Sequence, residues 1–374
     1  MRIAFALAIA ACSAAATVPS HPVAPTPASI RVGTTSYMIE DASRRDPVDA
    51  SRPRTWIVQL YYPSEPTAPA GMYADDPAIV DALVKQQYYG ATENELRSWS
   101  TKPAFAVAHA RPATPRPLPL VTLSPGLGFA RFNYAELASH LVARGYVVAV
   151  IDHPYIGLSR VGDRLVSADD DPVLASENPA DLLPRVRDWT HDISATIDDL
   201  AATRRVDGLS VDLARITAVG HSIGGTAAAG ACADPRVHAC IDFEGFLDGI
   251  DALSRGCARP LLAVFSRAKG RPPTLHPGEP DPMDKISAAL AAAGQPVWTV
   301  KVTGGSHTSF SDAPDVLPKT LSRFGGELMT PERSFELYTG IVDAFARAYG
   351  PDGGGDSAFK AFLDAAPETA GRRS

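Results

Sequence analysis

Ser222 lies in the run Gly220-His221-Ser222-Ile223-Gly224-Gly225, directly after the apolar stretch 216–220 and directly before the small-residue stretch 226–232. As a bare pattern G-x-S-x-G is weak, but at a strand-to-helix turn it is the nucleophile elbow, a cramped turn that exposes a serine oxygen for attack on a carbonyl. Glycines two before and two after the serine remove side chains that would collide there. A helix opening at Ile223 points its first N–H groups and its dipole at the negative charge that attack creates. The pattern therefore assigns Ser222 as a nucleophile and the Ile223 N–H as one oxyanion donor.

A serine needs a base, and the base an acid. Where an elbow of this kind is used, the chain order is Ser, acid, His, which confines the base to His238, His276 or His307. His307 fits best, because it sits in Gly304-Gly305-Ser306-His307, just past the apolar stretch 297–302, where a loop after a late strand reaches the carboxyl edge of a sheet. His238 precedes its strand, and His276 lies in a Pro-rich loop. For the acid, Asp242 ends the stretch 237–242 and would hold the imidazole in the right tautomer, with Glu244, Asp248 and Asp251 as competitors beyond the strand. His153 and His221 precede the serine and are expected to shape the pocket.

The second oxyanion donor is expected after the stretch 118–124, in Ser124-Pro125-Gly126-Leu127-Gly128, with the Leu127 N–H between two glycines. A dinucleotide loop would need glycine at position 131, where Arg131 stands, and there is no Gly-Lys phosphate loop, paired-His motif or Cys-x-x-Cys. The expectation is chemistry without metal or cofactor.

These residues need a scaffold that brings loops after several strands to one edge. Apolar runs at 56–62, 118–124, 146–151, 216–220, 237–242, 261–265 and 297–302 read as strands, several of them apolar enough to be buried on both faces. Helical patterns at 134–144, 188–205, 223–231, 284–293 and 331–349 alternate with them, which implies a mostly parallel sheet flanked by helices. Three long connections, 68–117, 154–187 and 268–284, read as cap or loop insertions. In the second, Asp169-Asp170-Asp171 reads as a solvated turn rather than a cation site. In the first, Ile79, Val80, Leu83 and Val84 followed by Tyr88-Tyr89 form an amphipathic stripe, read as core in preference to the roof of an apolar pocket.

The 374 residues are 45% apolar with a formal net charge of −7, enough for one large domain and lacking the basic footprint of a nucleic-acid binder. Residues 1–16 read as an export signal: Arg2, an apolar run over 3–11, and Ala14-Ala15-Ala16 as a cleavage site. Ile9-Ala10-Ala11-Cys12 equally fits a bacterial lipoprotein site, so a periplasmic, secreted or lipid-anchored product is expected, with peripheral membrane association in the last case. Residues 17–28 read as linker, 29–350 as the domain and 351–374 as a C-terminal tail. Export makes one disulfide among Cys232, Cys240 and Cys257 reasonable, with the pairing left open.

The chain resembles the plasma-type platelet-activating factor acetylhydrolases and their bacterial relatives within the α/β-hydrolases, over roughly 30–349. The resemblance rests on Leu60-Tyr61-Tyr62-Pro63-Ser64, Ser124-Pro125-Gly126-Leu127-Gly128, Gly145-Tyr146-Val147-Val148-Ala149, the elbow, Ile241-Asp242, and His307-Thr308-Ser309-Phe310-Ser311-Asp312. It implies an α/β-hydrolase fold and a serine ester hydrolase working through an acyl-enzyme on short-acyl or lipid esters, with Asp242 and His307 as acid and base. Pro125 stands where that family often has histidine. Amide, peptide or polyester cleavage on the same triad, and a binding protein without activity, are the alternatives.

Overall fold

The computed structural model describes residues 31–65, 76–102, 105–176, 178–247, 259–267, 269, 297–317 and 328–373. The expected signal, linker and helix 284–293, together with His276, Asp248, Asp251, Cys257 and all of the third long connection except Lys269, lie outside them.

The strands are β1 (Val32–Arg45), β2 (Pro53–Pro63), β3 (Ala106–Ala108), β4 (Leu118–Ser124), β5 (Val147–Asp152), β6 (Ser159–Val161), β7 (Arg164–Val166), β8 (Val211–His221), β9 (Val237–Phe243), β10 (Leu261–Arg267), β11 (Val297–Thr303) and β12 (Thr369–Arg373). All but the β6–β7 hairpin join one sheet in the order β12-β11-β10-β9-β8-β4-β5-β2-β1-β3. From β5 to β11 every neighbouring pair is parallel, while β2 on β5 and β12 on β11 are antiparallel. The helices are α1 (Pro77–Lys85), α2 (Glu93–Ser100), α3 (Ala135–Ala143), α4 (Pro179–Ala202), α5 (Ile223–Gly230), α6 (Ala313–Val316), α7 (Pro331–Ala348) and α8 (Gly355–Ala365).

Strand alternation feeds two cores. On β5, Val148 and Val150 join the core under α1, α2, α3, α7 and α8, whereas Val147, Ala149 and Ile151 join the core under α4 and α5. A strand buried on both faces must be apolar throughout, which is why its sequence was legible. Helix α4 turns Val186, Trp189, Asp192, Ile193, Thr196 and Ile197 inward at helical spacing. Its buried Asp192 and Thr196 meet Arg54 and the Trp56 indole from β2.

The topology reverses between β4, whose chain continues to β5 on one side, and β8, whose chain continues to β9 on the other. Their register sets Ser124 beside Gly220, so the loops leaving their carboxyl ends are neighbours at the switch point.

Two expectations need correction. Residues 351–374 are not a tail outside the domain: β12 pairs with β11, and Phe359 of α8 is fully buried against Trp298 and Phe345. Asp171 is not solvated, because it is buried against Arg185 at 2.5 Å, although Asp169 and Asp170 are exposed. Phe359→Ala is expected to lower stability by about 3–5 kcal/mol, the range for large buried truncations. Chemical denaturation checks this, and an unchanged midpoint would restore the tail reading.

Candidate active site

Ser222 occupies the turn between β8 and α5 with φ 54° and ψ −130°, a conformation that costs a non-glycine residue of order 1–3 kcal/mol. Its N–H donates to the Phe243 carbonyl at 2.7 Å, and its own carbonyl accepts from Gly225 and Thr226. A methyl group at Gly220 would strike the Gly224 carbonyl, and one at Gly224 would strike the Ser124 and Pro125 carbonyls. Glycine is thus obligatory on both sides of the serine, and the second glycine brings the β4 loop into contact with the elbow.

His307 Nε2 lies 3.1 Å from Ser222 Oγ. His307 Nδ1 lies 3.0 Å from a carboxylate, and that carboxylate is Glu244. This corrects the placement expected of Asp242. Glu244 stands one residue beyond β9 with φ 61°, its N–H donating to Val264 and its Oε1 accepting from Ser266 N at 2.6 Å. The second carboxylate oxygen is thereby aimed along the sheet edge at the imidazole. Asp242 instead points under α5, where Oδ1 accepts from Gly245 N at 2.8 Å and Oδ2 has no partner. Burial, with Glu244 adding to it against the Gly245 N–H, pushes its pKa up to about 8, so it is held as the neutral acid.

The loop carrying His307 is fastened by its own downstream residues. Phe310 stacks on Phe243 with centroids 3.6 Å apart, and Asp312 accepts from the Glu136 and Leu137 N–H groups at the start of α3. Buried His221 accepts the Tyr134 O–H at Nδ1 (2.8 Å) and donates from Nε2 to the His307 carbonyl (2.6 Å), while Tyr134 accepts from Gly126 N. Burial, with His307 nearby, lowers His221 to about 3, which keeps it neutral in that relay. One tyrosine and one histidine therefore tie the β4 loop to the His307 loop. The sequence singled out His221 only as a pocket shaper; Tyr134 carried no signal of its own.

Ile223 follows the serine directly, and Gly126, the residue before Leu127, packs so close to it that a methyl group there would lie 3.2 Å from Ser222 Cβ. Ile223 is the first residue of α5, whose N–H has no partner within the helix. Among the described residues no acceptor is recorded for the Leu127 N–H, whereas its neighbours Gly126 and Gly128 donate to Tyr134 and Ile156. His238 lies at the opposite edge, on β9. No group of three or more His, Cys, Asp or Glu that could hold a metal occurs among the described residues.

Part of the first insertion reaches the site. Ile79, Leu83 and Tyr88 are core, as the stripe implied, but Tyr89 is exposed, with φ 51°, its ring 5.1 Å from Phe129 and its hydroxyl over the Leu127 carbonyl. The segment is core at its base and cover at its tip. The disulfide joins Cys232 to Cys240, tying the end of the elbow helix region to β9.

The solved structure of a ferulic acid esterase from Streptomyces cinnamoneus matches with a TM-score of 0.74 and 29% identity, covering 93% of this chain and 98% of that one. The fold is that of the α/β-hydrolases. Over 124 residues the chain is 31% identical to Hydrolase ffsE of Aspergillus flavipes, covering 33% of this chain and 24% of that protein. Over 114 residues it is 32% identical to Hydrolyase poxO of Penicillium oxalicum, covering 30% and 25%. The chain thus spans about a quarter of the length of these curated relatives. No family model matches.

The two carboxylates are separable by experiment. Glu244→Gln is expected to lower kcat by about 10³-fold or more, the effect of losing the acid that orients the imidazole, while Asp242→Asn keeps most activity. A reversal of that order would return the role to Asp242. Asp242 also gives a stability signature. Its folded pKa is raised, so its contribution is fully present below the unfolded value of 3.8 and is lost as pH rises through about 8. The Tm of Asp242→Asn is expected to rise relative to the parent between pH 4 and 8; parallel curves would show an ionised Asp242.

Proposed function

We propose that this protein is a serine carboxylic ester hydrolase. The observation that carries the reading is the hydrogen-bonded chain from Glu244 through His307 to Ser222, at 3.0 and 3.1 Å, on a strained serine at the switch point of the sheet. Ser222 Oγ attacks the ester carbonyl while His307 Nε2 takes its proton. Glu244 holds the Nδ1–H and stabilises the imidazolium. The developing oxyanion is received by the Leu127 and Ile223 N–H groups. His307 then protonates the leaving alcohol, and water, activated by the same imidazole, releases the acid from the acyl-enzyme.

The substrate side is read from the cover. Tyr89 on Phe129 sets an aromatic surface beside the Leu127 carbonyl, which favours a short or flat acyl group over a long chain. The ferulic acid esterase with the same fold makes ferulic acid esters one arm of the panel, and the platelet-activating factor acetylhydrolase resemblance makes short-acyl lipid esters another. Amide and polyester substrates complete it. The Cys232–Cys240 disulfide supports an exported protein, periplasmic, secreted or lipid-anchored, since such bonds persist in oxidising compartments.

Ser222→Ala is expected to abolish ester hydrolysis while the circular dichroism spectrum is kept. A fluorophosphonate probe is expected to label Ser222 alone; labelling or turnover that survives the substitution overturns the reading. Across the panel, rates are expected to fall from acetyl and butyryl to long-chain esters, and Tyr89→Ala to flatten that profile by about 1–3 kcal/mol per methylene-sized step. A profile unchanged by that substitution would make the cover scaffold only.

A further inference from the structure

A second serine, histidine and aspartate stand in line behind the site, and the proposed chemistry does not use them. Ser124 Oγ lies 3.0 Å from His153 Nε2, and His153 Nδ1 lies 3.0 Å from Asp192 Oδ2. Asp192 takes both Nε and a terminal nitrogen of Arg54, at 2.7 and 2.6 Å, and pairs with Arg44 at 2.9 Å. Trp189 stacks on the His153 ring at 5.6 Å. Ser124, His153, Asp192 and Arg54 are all at most 1% exposed, so Ser124 cannot meet a substrate. Burial pushes the Asp192 carboxyl up, but Arg54 and His153 outweigh it and hold the group ionised. Burial likewise keeps His153 neutral despite Asp192. With Asp192 able only to accept, His153 donates from Nδ1 and its Nε2 accepts the Ser124 O–H.

A buried ion pair of this kind is a poor way to gain stability, since well-packed apolar side chains of similar volume often do as well or better. Its location argues for another role. Ser124 is the last residue of β4, and Leu127 follows three residues later. The Ser124 and Pro125 carbonyls are packed against Gly224, one residue past Ile223. Pro125 has no N–H to anchor the loop, and Gly126 N is held from the other face by Tyr134. The Ser124 hydroxyl is therefore the inner fastening of the loop that carries one proposed donor, at the point where that loop touches the turn carrying the other.

We propose that the Arg54–Asp192–His153–Ser124 relay is a positioning device that sets the separation of the Leu127 and Ile223 amides, acting on the transition state rather than on substrate binding. Ser124 and His153 are positioning residues, not catalytic ones. This inference rests on the esterase reading above.

The test compares Ser124→Thr with Ser124→Val in the full chain. The two side chains have the same shape and differ in the hydroxyl, so packing changes common to both cancel. Kinetics on a short-acyl nitrophenyl ester, the Ki of a boronic acid that mimics the tetrahedral intermediate, and Tm are measured together. Ser124→Val is expected to have a kcat at least about tenfold below Ser124→Thr, part of the 10²–10³-fold that removal of a whole oxyanion donor costs. KM is expected within about twofold, with the boronic acid weakened in parallel with kcat. Equal kcat and Ki in the two variants, whatever their Tm, would overturn the proposal and leave the relay a stability element. If neither variant folds, His153→Gln, with an amide that can donate and accept, is read by the same kcat, KM and Ki comparison against the parent. Failure of the underlying reading is distinguishable, because it appears in the parent chain as activity or fluorophosphonate labelling that does not depend on Ser222.

Discussion

The constraint on which the rest of the site depends is the backbone of Ser222. A non-glycine residue at φ 54° and ψ −130° is held only because its surroundings over-determine it. The Phe243 carbonyl fixes its N–H, α5 begins at the next residue, and Gly224 lets the β4 loop close against it. Each of these comes from a different strand end, so the turn is only as well placed as the parallel register of β4, β8 and β9. The register is secured in turn by apolar strands that feed both cores at once.

Around that turn the environment sorts the acids. Asp192 is buried and ionised because Arg54 and Arg44 meet it, Asp242 is buried and neutral because only an amide does, and Glu244 keeps one oxygen on a backbone N–H and offers the other to His307. Asp192 and Asp242, both buried, are held in opposite charge states by what each can pair with rather than by residue type. The same logic fixes the tautomers of His153 and His221, each between one donor and one acceptor.

The scaffold was legible where burial forces composition. Strands 118–124 and 237–242 announced themselves as apolar runs, and the structure places β4 and β9 there. The long β1 escaped notice because it lies toward the edge, pairs antiparallel with β2 and is half exposed and polar along its length. The end of the chain escaped for a related reason: β12 is a five-residue edge strand, and the apolar face of α8 is carried by few residues, chiefly Phe359 and Leu363.

What the sequence determined by itself was local: a serine between glycines at a strand-to-helix turn, a histidine on a loop after a late strand, and a Gly-Leu-Gly loop after another. These are legible because backbone sterics within a few residues dictate them. Which carboxylate faces His307 was not local. Asp242 and Glu244 are two residues apart, and either could end a strand, but the first is turned under α5 while the second, released from the strand and braced by Ser266 N, reaches across to the imidazole. The pairing of Cys232 with Cys240, the tie from Tyr134 through His221, and the relay behind Ser124 join residues between 8 and 138 positions apart. Only the folded sheet decides contacts of that kind, because they depend on register and on the direction in which each side chain leaves its strand.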